Sequence, residues 1–111
     1  MKEVGLSELV NQDIVFIEEL IGLIPDYLKN ITIDHGNLER AIASCDVEGA
    51  SRVVHRIKGS ACSYGFDVID KVVSEIQQSL DKNDYDMALE NNKIFEKYLM
   101  RVAKALSDRG A

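Results

Sequence analysis

Residues 53–66, VVHRIKGSACSYGF, place a lysine three residues after a histidine and a glycine directly after the lysine, inside a run with helical apolar spacing. A neutral imidazole is a nucleophile, a proton carrier or a metal ligand, and a nearby ammonium suits it to chemistry on an anionic group. At about 100° per residue, Val47, Ala50, Val53, Val54, Ile57, Ala61 and Tyr64 fall inside one arc of roughly 120°. That arc is the core face. His55 lies roughly 140° from its centre and is expected to point to solvent. Glu48, Ser51, Arg52, Lys58, Gly59 and Cys62 share its side of the wheel.

Gly59 is the informative residue of this group, because glycine inside a helix is less favourable than alanine by about 1 kcal/mol. Helical side chains lean toward the N-terminus, so a side chain at 59 would lie over the imidazole one turn earlier. A glycine there leaves the ring open to something large. Lys58 could offset part of the charge of a dianionic phosphoryl group on the ring. The same features also fit a solvated surface, or a glycine that admits a neighbouring helix.

These residues need elements to position them, and the chain reads as all-α: one proline in 111 residues, apolar spacings of three and four, and no convincing strand. The first helix is expected after Ser7 as N-cap, with Leu9, Ile14, Ile17, Leu20, Ile21 and Ile24 as its stripe. Gly22 and Pro25 mark either a break or a kink before a second helix, about 25–44, that buries Tyr27, Leu28, Ile31, Leu38, Ala41 and Ile42. His35, beside Asp34 and Gly36, reads as a polar surface residue of that helix. Asp46 suits the cap of the third helix, Gly65 its left-handed stop, and Asp67 the cap of the fourth, with Ile69, Val72, Val73, Ile76 and Leu80 inward. After DKND at 81–84, a fifth helix over about 85–106 presents Met87, Leu89, Ile94, Tyr98, Val102 and Leu106, with Glu96, Lys97, Arg101 and Lys104 outward. Short connections then predict an antiparallel four-helix bundle with an additional N-terminal helix, forming one domain over 1–111.

Composition narrows the function. The net charge of −6 argues against nucleic-acid binding, which needs a basic face. No GxxxxGK[ST] or GxGxxG run is present, so any phosphate chemistry borrows its donor. The N-terminus lacks the basic start and apolar stretch of a secretory signal and no long apolar run suggests a membrane span, which makes the cytoplasm the expected location. Cys45 and Cys62 have no metal-type spacing and read as small buried or half-buried thiols without a bridge. A metal-binding bundle using His35 and His55 is disfavoured, because Glu-x-x-His pairs on facing helices are missing.

HRIKGSACSYGF closely resembles the signature of histidine-containing phosphotransfer (HPt) domains, through His55, Lys58, Gly59, Ser60, Ala61 and Gly65. Tyr27 and Leu28, Leu38 with Ala41 and Ile42, Asp46, and Ile69, Val73 and Ile76 extend the resemblance more weakly over most of the chain. It implies a phosphocarrier: His55 accepts a phosphoryl group from the aspartyl phosphate of a receiver domain and passes it to another receiver. Such a chain is a phosphotransfer intermediate more than a stand-alone enzyme, with no cofactor of its own and magnesium on the partner receiver.

The family also supplies Gln77, at the place where these domains hold a Gln or Glu beside the ring. Counted from Gly65, His55 and Gln77 stand at about 15 and 18 Å on adjacent antiparallel helices, within reach of each other. Some relatives carry a basic residue one turn later, where this chain has Asp81; Arg52 and Arg56 either compensate or are solvated charges. Ser51, Arg52, Arg56, Gly59 and Cys62 are the expected docking residues around His55, Lys58 and Gln77. Response-regulator receivers are the expected partners, with a hybrid histidine kinase as a further candidate. A starting methionine without flanking domains reads as a free-standing carrier, although a domain excised from a hybrid kinase would look the same. The rival roles are a chemotaxis-type domain phosphorylated directly by an ATP-binding kinase domain, and an adaptor that binds receivers without taking phosphate.

Overall fold

The computed structural model describes residues 5–110, and in it four helices form the bundle: α2 (Ile24–Ala43), α3 (Val47–Ala61), α4 (Asp67–Asp81) and α5 (Tyr85–Gly110). A short helix, α1 (Leu6–Val10), precedes them. Each bundle helix packs on two others, in the cycle α2–α3–α4–α5–α2, and α1 lies against α4 and α5. The shared core is mainly aliphatic with a few aromatic rings, and Leu38, Ile42, Val54, Ile57, Ile76 and Phe95 are almost wholly enclosed. Among the described residues no helix is long and apolar enough to cross a membrane.

The three loops that set the antiparallel arrangement close by one hydrogen-bond pattern. After α2, the Asp46 N–H donates to the Ala41 carbonyl at 2.8 Å and the Cys45 N–H to Ile42 at 3.0 Å. The same pair recurs from Phe66 to Ala61 with Gly65 to Cys62, and from Asp84 to Ser79 with Asn83 to Leu80. Each is a Schellman closure, which requires one left-handed residue. Cys45, Gly65 and Asn83 occupy it at φ 58°, 86° and 57°. Gly65 has a second constraint, since a Cβ there would stand 2.6 Å from Ile17 Cδ1. In two of the loops the next residue is an aspartate that caps the following helix: Asp46 Oδ1 accepts from Gly49 N at 2.9 Å and Asp84 Oδ1 from Met87 N at 3.0 Å.

Several expectations are corrected. The single long first helix does not form: α1 ends at Val10, residues 11–17 are irregular, and 3-10 turns over Glu18–Leu23 lead into α2. Asn11, Gln12 and Asp13 offer the backbone competing partners, and the β-branched Ile14, Val15 and Ile17 follow at once. The irregular segment is instead held by α5, whose Arg101 donates to the carbonyl oxygens of Val10 and, at 3.0 Å, Gln12. Ser7 lies inside α1, with Gly5 at its N-cap position, and Ile17 is exposed. At α4 the N-cap position is Phe66, with Asp67 the first helical residue. Met87 is half exposed, and Cys45 and Cys62 are both exposed free thiols.

His35 is also corrected, from surface to interior. It is 7% exposed, its Nε2 lies 3.0 Å from the Asn92 carbonyl oxygen, and its ring stands edge-on to Phe95 with centroids 5.5 Å apart. A carbonyl only accepts, so Nε2 is the donor. His35 is a packing residue of the α2–α5 interface.

Candidate functional site

His55 sits just past the middle of α3, exposed, while Val53, Val54 and Ile57 beside it are buried. Its backbone position follows from the core-facing arc: once Ala50, Val54, Ile57 and Ala61 are inward, residue 55 must be outward. Among the described residues its imidazole makes no hydrogen bond. His35 is buried on the α2–α5 side, so the two histidines share no site.

Gly59, one turn on, faces open space: a Cβ built there would have nothing within 4 Å. Close helix packing within the chain therefore does not explain this glycine, and the opening over α3 remains as its consequence. Ser60, next to it, points the other way, toward the Tyr27 hydroxyl at 3.2 Å. Tyr27 stacks in turn on Tyr64 with ring centroids 4.1 Å apart, which fixes the end of α3 against α2. Burial, ahead of its neighbours' charges, raises the Tyr27 hydroxyl above the ordinary tyrosine value.

Lys58 and Gln77 bracket the α3–α4 side of His55. The Lys58 Nζ donates to Asp70 Oδ1 at 3.0 Å and to Ser74 Oγ. Gln77 reaches from α4 to α3, its Nε2 3.2 Å from Ser51 Oγ and 2.9 Å from Asp81 Oδ1. Ser51 is one turn before His55 and Lys58 one turn after it, so the two cross-helix contacts straddle the imidazole. Asp81 supplies no cation here and instead accepts from Gln77.

On the other flank Arg56 turns toward α2, where Asp34 takes it in an ion pair at 2.8 Å and raises its pKa further, chiefly through the hydrogen bond. Arg52 lines a surface groove between α2 and α3 together with Arg40 and Arg56. Ser51, Lys58 and Gly59 thus lie within about a turn of His55 on α3, Gln77 meets Ser51 from α4, and Arg52 and Arg56 are on the α2 side. Cys62 lies exposed two turns beyond His55, its thiol pushed up by partial desolvation and then by the Asp70 and Asp67 carboxylates.

Asp70, Ser74 and Asp34, the partners of these cations, are absent from the sequence-based site. The loop register would have revealed the first two. Counted from Gly65, Lys58 stands at about 10 Å, Asp70 at about 8 Å and Ser74 at about 14 Å. Asp34 depends on the α2–α3 register, which the cysteine-containing loop conceals.

The family model for the Hpt domain matches residues 22–107, from the last 3-10 turn before α2 through most of α5. The chain belongs to the Hpt domain family. No curated protein and no solved structure matches it. Hpt domains carry out histidine phosphotransfer in phosphorelays and interact with the receiver domains of response regulators, and the helical bundle described above is the architecture of that family. The match leaves α1 and the irregular segment outside the Hpt region, so what the family implies rests on the four-helix bundle that carries His55, Lys58 and Gln77.

Proposed function

We propose that this Hpt domain is a receiver-to-receiver phosphocarrier with His55 as its phosphoacceptor. A lone pair of a neutral ring nitrogen attacks the phosphorus of a receiver's aspartyl phosphate. The new P–N bond forms as the P–O bond breaks, and the aspartate leaves as a carboxylate with the bonding electrons. Transfer to a second aspartate reverses these bond changes. In-line phosphoryl transfer depends on positioning and charge neutralisation, so the carrier's contribution is a bare nitrogen with access for the donor. Lys58 supplies a cation to the phosphoryl oxygens, and Gln77, on α4 opposite the turn before His55, a hydrogen-bonding amide. Magnesium and the remaining catalytic groups belong to the receiver.

The observation that carries this reading is the exposed His55 between two cross-helix contacts with empty space over Gly59. The test is incubation of the full chain with a radiolabelled phospho-receiver, and separately with a kinase ATP-binding domain and labelled ATP. An acid-labile, base-stable label acquired from the receiver and lost in His55→Gln is expected. A label that survives H55Q, or one that arrives only from the kinase domain, overturns the receiver-relay role.

A further inference from the structure

Lys58 is engaged before any phosphoryl group arrives. Asp70 Oδ1 accepts from its Nζ at 3.0 Å, Ser74 Oγ accepts a second hydrogen bond, and the Ser74 hydroxyl donates in turn to the Asp70 carbonyl at 2.8 Å. An ammonium has three donors, so two are committed to α4. The Lys58 and Asp70 side chains are 37% and 32% exposed, a pair neither free in water nor sealed in the core. Ion pairs this exposed are weak and can be displaced. His55 and Lys58 are i,i+3 neighbours, with Cβ atoms about 5–6 Å apart, so a phosphoryl group on the ring would compete for the same ammonium.

A second acid reinforces the field. Asp67 lies one turn before Asp70 on α4, and both carboxylates push up the thiol of Cys62, which directly follows α3. Asp70 is thus both the ion-pair partner of Lys58 and one of two acids that α4 places on this side of the site.

We infer that Asp70 is a positioning residue that competes with the phosphoryl group for Lys58 and thereby limits how readily His55 takes up phosphate. This inference rests on His55 being the phosphoacceptor. With Asp70 in place, Lys58 must divide its donors or leave α4 when a dianion forms beside it. Without Asp70 the ammonium is available to the incoming group.

The test uses the full chain and phosphoramidate, a small donor that removes the receiver from the measurement. A ring nitrogen forms the new bond to phosphorus while the donor's P–N bond breaks, and the departing nitrogen takes a proton to leave as ammonia. Asp70→Asn is expected to raise the initial rate of His55 labelling about two- to fivefold, the range set by an exposed ion pair. D70E should return the rate to the wild-type value, and D70N should change nothing when Lys58 is already alanine. An equal or slower rate in D70N overturns the inference, as does a gain that persists without Lys58. If D70N does not fold by circular dichroism, Asp70→Ser carries the same expectations. Wild-type chain labelled at His55 with D70N unchanged defeats this inference alone. A wild-type chain that takes no label, or a label unaffected by H55Q, defeats the phosphoacceptor reading and this inference with it.

Discussion

Gln77 and Ser51 meet across the α3–α4 groove with 3.2 Å between Nε2 and Oγ, and the 2.9 Å contact from the same nitrogen to Asp81 fixes which end of the amide faces α3. A carboxylate only accepts, so the NH2 end must point toward Asp81 and the Ser51 side. The amide oxygen is then buried without a partner among the described residues. Gln77→Glu would replace this donor by a carboxylate facing Asp81 at i,i+4. Like charges at that spacing and a lost hydrogen bond together predict a loss of about 1–2 kcal/mol at neutral pH, measured by urea unfolding. Asp81→Asn in the Q77E background should recover part of it. If Q77E is as stable as the wild type, the amide orientation described here is wrong.

Gly59 separates stability from access. A Cβ at 59 meets nothing, so Gly59→Ala should stabilise the chain by up to about 1 kcal/mol through helix propensity alone. A phenylalanine at the same position should leave the fold intact by circular dichroism and slow transfer from a phospho-receiver by about tenfold, the effect of roughly 1.4 kcal/mol on the barrier. Native transfer rates with phenylalanine at 59 would show that the space over α3 is not used by the partner.

What the sequence revealed followed from how local each cause was. The inward arcs of α3 and α4 are set by residues within two turns of each other, so Val54, Ile57, Val73 and Ile76 are buried as their spacing predicts, and His55 is outward for the same reason. The left-handed stop at Gly65 was legible because glycine favours that conformation, whereas Cys45 and Asn83 adopt it at loops where residue type gives less warning. The first helix stops short of the apolar spacing at Leu9, Ile14 and Ile17 because the polar residues between disfavour continuation. His35 departs from its sequence pattern for the opposite reason. Its polar neighbours in sequence suggested water, while its fate was set by Phe95 and Asn92, more than fifty residues away. Lys58 is marked by the motif, whereas its pairing with Asp70 depends on the register of two helices.

Cys62 offers a reporter of the field beside His55. The thiolate is the species that alkylates, and partial desolvation first, then Asp70 and Asp67, disfavour it, with Lys58 opposing them. The sign follows directly: a raised pKa leaves less thiolate at any given pH, so the rate of alkylation must climb at higher pH than for an unstructured cysteine peptide. In a Cys45→Ser background, the iodoacetamide rate measured across pH 7 to 10 should show a midpoint above that of the peptide, despite the exposure of the side chain. D70N removes one of the carboxylates and should bring the midpoint down, whereas Lys58→Ala, which removes the opposing cation, should move it up. A midpoint at or below the peptide's, or one indifferent to both substitutions, would mean that the α4 acids do not reach the end of α3.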